Sequence, residues 1–306
     1  MLADLVDAHV HFWRRADLPW LNGPMVPRIF GDYEALRRDY PVGEYVADAL
    51  PAGVRAAVYV QANWPPHRAV EEVEWLQECH DEHGWPHAVV ASADMFDERA
   101  GAVIERQLER SALVRGERVQ LHWHADERLR FASAPDRMRE PVFRRNVALL
   151  GELGLHFELQ IFPGQMADAA ELVARTPGTT FVLVHAGMLE SGAPEHVEPW
   201  RAGLELLARS PNVVVKLSGQ GTFLRRVDEP LIRLVSSTAI EFFGARRCLF
   251  GSNFPIESLW TDYGTLVGAW RDALDTDARD DVLAGTARRV YRLPPAAALT
   301  PQAGAR

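Results

Sequence analysis

The sequence predicts a single-domain (β/α)₈ barrel of the α/β class. Three observations carry that prediction. Eight strand-like segments alternate with helix-like segments along 306 residues. No Gly-x-Gly-x-x-Gly turn follows any strand, which argues against a doubly wound open sheet. Finally, polar residues recur on one parity of several strands and collect toward their C-terminal ends, where barrel sites lie. The 47% hydrophobic content suffices for one large core over residues 1–293, and no P-loop, internal repeat or second domain is visible.

The first strand, Leu5 to Trp13, organises the rest. Alternation puts Val6, Ala8 and Val10 on one face and Asp7, His9 and His11 on the other. Each buried polar group needs a partner, so two imidazoles at i, i+2 point to a site that grips a metal ion or a substrate oxygen. The stretch from Arg14 to Val42 is rich in Pro, Gly and Trp and long enough to be functional, so it is expected to close over the barrel mouth. A short helix (43–50) and a strand ending at Gln61 (56–61) follow. The next helix, 66–82, carries Ala69, Val73 and Leu76 on one face.

A third strand (87–93) and helix (98–111) lead to a fourth strand, expected over 118–124. There Arg118, Gln120, His122 and His124 share a face. A helix over 140–153 stops at Gly154, a good C-terminal cap. The fifth strand (156–162) turns Glu158 and Gln160 inward, and a helix spans 164–175. The sixth strand, 180–185, ends in His185-Ala186-Gly187. After a helix (197–210), the seventh, 213–218, contains Lys216. After a further helix (231–243), the eighth, 248–253, ends in Asn253, and helices over 263–274 and 280–291 complete the chain. The Ala- and Pro-rich tail from Pro294 to Arg306 is expected to be disordered.

Net charge is −9 without a basic block, which speaks against nucleic acid as a partner. No apolar stretch approaches the about 20 residues of a membrane helix. No signal peptide is apparent, and the two cysteines, Cys79 and Cys248, form no disulfide framework, so a cytoplasmic protein is expected. A small molecule is the expected partner, and self-association is left open.

Five motifs stand in order at strand ends: Val6-Asp7-Ala8-His9-Val10-His11-Phe12-Trp13, Val58-Tyr59-Val60-Gln61, Val184-His185-Ala186-Gly187, Val215-Lys216-Leu217-Ser218-Gly219 and Phe250-Gly251-Ser252-Asn253-Phe254-Pro255. Together they resemble the amidohydrolase superfamily, in the branch of sugar lactonases and the pyrone-dicarboxylate lactonase, over nearly the whole chain. The resemblance implies a (β/α)₈ hydrolase that opens a lactone or related cyclic ester with water. It implies His9, His11, His185 and Asn253 as catalytic positions, with His9, His11 and His185 as the ligands of any metal. Asn253 stands where the family usually has an aspartate that activates water and touches the metal. An amide has no accessible proton-accepting form. The expectation is therefore either no cofactor or a weakly bound divalent metal, zinc being the candidate.

Gln61, Arg118, His124 and Lys216 are the candidate substrate-binding residues, Arg118 because its fixed fork suits a carboxylate. For Lys216 an interior ion pair with Glu158 weighs equally. Trp13, Trp20, Trp64 and Trp123 are candidate pocket walls. Glu158, Glu257, His11 and His185 stay open as substitutes for the missing base. Two other functions compete with lactone hydrolysis: a non-oxidative decarboxylase or lyase on the same barrel, and a binding protein whose chemistry was lost at Asn253.

Overall fold

The computed structural model describes residues 4–295, so the expected disorder of the tail beyond Pro295 lies outside the described residues. Eight parallel strands form one sheet in sequential order: β1 Leu5–Val10, β2 Val54–Val60, β3 Ala88–Ala91, β4 Val114–Gln120, β5 His156–Gln160, β6 Thr180–Leu183, β7 Val213–Leu217 and β8 Cys248–Phe250. Beyond the end of β8 the chain turns back onto β1. Asn253 N donates to His9 O at 2.8 Å and His11 N to Phe254 O at 2.8 Å, which draws the sheet into a nearly closed barrel.

The helices wrap the outside: α1 Val42–Ala49, α2 Ala69–His83, α3 Ala100–Arg110, α4 Pro141–Glu152, α5 Met166–Arg175, α6 Pro194–Ala208, α7 Glu229–Phe243 and α8 Tyr263–Ala273. Local chemistry sets several of their ends. Asp228 and Asp262 cap α7 and α8 by accepting from Leu231 N and Thr265 N. Gly84, left-handed at φ 75°, ends α2. Strands buried on both faces need apolar residues on both, which is why Val and Ala dominate β2 and Val dominates β7. Cys79 on α2 and Cys248 on β8 are buried and unpaired. Among the described residues no helix is long and apolar enough to cross a membrane.

Inside the barrel, small side chains fill one side: Val6, Ala8, Ala56, Val58, Ala88 and Val90. A terminal helical segment over 276–290 packs Ala287 against them, with Tyr291 and Leu293 following, and closes the N-terminal end of the barrel. The other side of the interior is charged. Lys216 Nζ lies 2.6 and 2.7 Å from the two Glu158 oxygens, and Tyr291 Oη donates to Glu158 at 2.6 Å. Both partners of the ion pair are fully buried. Burial alone would push Glu158 up, but Lys216 and His156 outweigh it and hold the carboxyl below its usual range.

Three expectations from the sequence need correction. Strand β1 does not keep strict alternation: its register against β2 slips between Asp7 and Val10, a bulge at Ala8–His9. Asp7 therefore faces outward, where it accepts from Tyr45 Oη, Tyr263 Oη, Ser252 Oγ, Ser252 N and the His9 amide. Val6 and Ala8 face inward, and the bulge brings His9 round to join His11 inside. Strand β4 covers 114–120 rather than 118–124, because Gly116 to Gln120 pair with His156 to Gln160 and the chain then leaves the sheet. His124 accordingly lies in the following loop. Strand β1 itself stops at Val10, three residues short of Trp13, where the chain crosses to meet Phe254.

Candidate active site

The strand ends and the Arg14–Val42 loop border a partly open cavity. His11, His185, Asn253, Gln61 and Arg118 all line it. His9 lies just behind, its ring centroid 5.0 Å from that of His11 and 4.8 Å from that of His185. The first strand, the loop after β6 and the end of β8 thus bring the four expected catalytic positions together.

Each side chain has a local reason for its pose. His11 follows the β1 bulge, and its Nδ1 lies 2.6 Å from Val60 O. A carbonyl only accepts, so Nδ1 carries the proton and Nε2 is left as an acceptor. His185 begins a run of left-handed residues: φ is 53° there, 48° at Ala186, 75° at Gly187 and 58° at Met188. Such a run costs about 1–2 kcal/mol per non-glycine residue, and strain of this kind collects at sites. Trp200 Nε1 holds it by donating to Ala186 O at 2.6 Å. The His185 ring is fixed by Ser218 Oγ at 2.8 Å from Nδ1. Gly219 makes room for it, since a Cβ there would stand 2.5 Å from His185 Nδ1. Asn253 is also left-handed at φ 61°, a conformation Asn tolerates better than most residues.

The electrostatics keep the imidazoles neutral. Burial lowers His9, His11 and His185, His11 to about 3, and the cations of Arg118 and Lys216 push the same way. Arg118 remains charged although burial lowers it to about 10. Its guanidinium donates to Gln61 O at 2.6 Å and to Gln160 Oε1 at 3.3 Å, and it has no carboxylate partner among the described residues. The cavity wall therefore presents a fixed cation without a counter-ion.

Lys216 and His124 stand apart from this cavity. Lys216 is one layer deeper, committed to Glu158 as described. His124 is on a separate cleft with Trp123, Phe162 and Glu190, because β4 ends before it. Trp13 and Trp20 line the cavity, whereas Trp64 borders a neighbouring cleft, and Trp123 shares that of His124. Arg28, Asn63, Gln120, Gln160 and Thr222 also line the cavity. Gln120 and Gln160 could be placed inside the barrel by strand parity. Arg28, Asn63 and Thr222 sit on loops, where no periodicity marks which side chain turns inward.

The donors for a metal would be the imidazoles of His9, His11 and His185. They supply three nitrogen donors, kept neutral by burial, and no negative charge. Among the described residues no three His, Cys, Asp or Glu side chains are set in ligating positions, but the His9 ring lies against those of His11 and His185 and both its nitrogens are buried without a hydrogen-bond partner. The fourth position, Asn253, brings an amide rather than a charge, and Arg118 and Lys216 place positive potential on the trio.

A family model described as amidohydrolase matches residues 6–293. The uncharacterised protein y4mH of Sinorhizobium fredii is 33% identical over 272 residues, 87% of this chain and 90% of that one. The L-fucono-1,5-lactonase of Burkholderia multivorans is 32% identical over 311 residues, 94% of this chain and 96% of the enzyme. An amidohydrolase from Burkholderia multivorans, solved with bound zinc, superposes with a TM-score of 0.78 at 30% identity, over 95% of this chain and all of that one. With a family match over nearly its whole length and a barrel that gathers the histidines at its strand ends, this chain belongs to the amidohydrolase family.

Proposed function

We propose that the protein opens a lactone with water, at the cavity bounded by His11, His185 and Asn253, and needs no tightly bound metal to do so. One observation carries this reading: neutral imidazoles and an Arg118 with no carboxylate partner among the described residues meet in a cavity whose remaining polar lining is Arg28, Gln61, Asn63, Gln120, Gln160, Thr222 and Asn253. Carboxamides both donate and accept, which suits the hydroxyls of a sugar ring. The likeness to an L-fucono-1,5-lactonase points to the same substrate class.

Arg118, fixed by Gln61 and Gln160, is the deeper-set of the two arginines on the cavity wall and serves as the donor to a carbonyl oxygen that gains negative charge in the transition state. His11 cannot share that task through Nε2, which is an acceptor, so it orients the attacking water instead. Closure of the loop keeps bulk water from the fixed cation and strengthens its effect. An ester is reactive enough to need no Lewis acid, which matches a donor set that lacks an anionic ligand. In this reading the partner is a small molecule, and neither nucleic acid nor membrane takes part; the cytoplasm is the proposed location.

The test is a panel of aldono-1,5-lactones, aldono-1,4-lactones and aromatic lactones, headed by L-fucono-1,5-lactone, followed with a pH indicator and a CO₂ electrode. Acid release from at least one sugar lactone, unchanged after dialysis against chelator, is expected. CO₂ release from an aromatic acid without lactone turnover would replace this reading with the decarboxylase. Activity lost to chelator and restored by zinc would overturn metal independence.

A further inference from the structure

Position 253 leaves the site without the carboxylate that its Asn replaces in the family pattern, yet a carboxylate is present one step behind it. Glu257 lies on the single turn Ile256–Leu259, four residues after Asn253, and is only 1% exposed. We propose that Glu257, acting through the hydroxyl of Thr222, takes the proton of the attacking water. The proposal rests on the lactone reading above.

The geometry has three parts. Thr222 and Asn253 both line the cavity, and both turn to Glu257 Oε1: Thr222 Oγ1 and Asn253 Nδ2 each donate at 3.4 Å. Trp260 Nε1 donates to the other oxygen, Oε2, at 2.9 Å and fixes the carboxyl plane. Finally, Gly221 allows the β7 loop to come this close, since a Cβ there would stand 2.4 Å from Trp260 Nε1 and 2.6 Å from Glu257 Oε2. The three donors differ in what they can do. A hydroxyl can pass one proton on while receiving another; an amide and an indole cannot. By donating through Nδ2, Asn253 keeps Oδ1 as an acceptor that can hold the water but not deprotonate it.

Glu257 is also suited to the task electrostatically. Burial raises it to about 7, and the hydrogen bonds from Trp260, Asn253 and Thr222 oppose that rise. Among the described residues no charged group faces it: Thr222 comes from the β7 loop, Asn253 from the β8 end and Trp260 from its own turn. The arginines of the β7 loop turn elsewhere, Arg225 to Gly31 and Arg226 to Asp228. An acceptor near 7 works at neutral pH.

The step balances. The water oxygen bonds to the lactone carbonyl carbon as its proton moves to Thr222 Oγ1 and the Thr222 proton moves to Glu257. The ring C–O bond then breaks, its electron pair going to the ring oxygen. That oxygen takes the proton back from Glu257 through Thr222, leaving the hydroxy acid and an ionised Glu257.

Only the ionised carboxylate can accept, so kcat should rise with pH through about 7. Turnover of the panel's fastest lactone, with L-fucono-1,5-lactone as the starting probe, is measured in chelator for the wild type, Glu257→Gln, Thr222→Val, Thr222→Ser and the Asn253→Asp/Glu257→Gln double variant. Glu257→Gln and Thr222→Val should lower kcat by about 100-fold or more with little change in KM, and abolish the rise near pH 7. Thr222→Ser should stay near wild type. The double variant should recover at least about ten-fold, since an aspartate at this position restores an acceptor. A wild-type pH profile in Glu257→Gln, or a loss that the added Asn253→Asp change fails to restore, would overturn the proposal. If no lactone is opened, the lactone reading fails, and infrared difference spectra between pH 5 and 9 decide the pairing on their own. A carboxyl band titrating near pH 7, absent in Glu257→Gln and displaced in Thr222→Val, supports it, and no such band refutes it.

Discussion

His185 shows how much a single residue at a strand end is made to carry. Its backbone is left-handed, its ring is pinned by Ser218, and its carbonyl accepts from Gln220 Nε2 at 3.2 Å. None of these contacts joins distant layers of the barrel. Replacing His185 with Ala should therefore cut kcat by about 100-fold or more while the far-ultraviolet circular dichroism stays the same. Full turnover by that variant on the true substrate would remove His185 from the site. At this scale the types and order of the site residues are legible in the sequence, because His-x-His, His-Ala-Gly and Ser-Asn-Phe-Pro all fall at strand ends. The faces are less legible. One extra residue at Ala8–His9 reverses the parity of the strand, and no feature of Leu5–Val10 announces a bulge. Lys216 has the same composition cue whether it meets substrate or Glu158, so only the pairing distance separates the two.

Between the first two strands, the Arg14–Val42 segment behaves as a packed lid. Trp20 stacks near Trp13, Phe30 and Tyr33, with ring centroids 5.5 to 6.3 Å apart, and its Nε1 donates to Ala62 O at 3.0 Å. Arg28, Ile29 and Phe30 then reach the cavity, while residues 24–27 are exposed. Deleting Pro24–Pro27 should pull that edge of the lid away without touching the buried Leu18, Leu21 and Tyr33. KM should rise by about ten-fold, roughly 1.4 kcal/mol of binding, with the unfolding midpoint nearly unchanged. An unaltered KM would make the segment a covering with no part in binding. The length and aromatic content of this loop are visible in the sequence; which of its residues turn inward is a matter of packing. Strand β4 lies earlier in the chain than its polar pattern suggests, for a related reason. Val114-Arg115-Gly116-Glu117 mixes a glycine with two charges and does not look like a strand, yet Gly116 is needed there because a Cβ would meet the His156 ring at 2.5 Å.

Across the whole molecule, the closure of the barrel and the site are one construction. Asp7 ties the β1 bulge to Ser252 after β8 and to Tyr45 and Tyr263 on two outer helices. The same seam carries His9, His11 and Asn253. At the opposite end Tyr291 plugs the barrel and holds Glu158 against Lys216. Of that pair Lys216 helps keep the imidazoles neutral while Glu158 opposes it, so the fold sets the electrostatics of a site that opens a ring with water. The most direct measurement is turnover of the best lactone in H₂¹⁸O with mass analysis of the product. One ¹⁸O in the carboxylate of the ring-opened acid, with the hydroxyl unlabelled and no CO₂ formed, is the predicted result. Loss of CO₂, or no label in the acid, would contradict hydrolysis at this site.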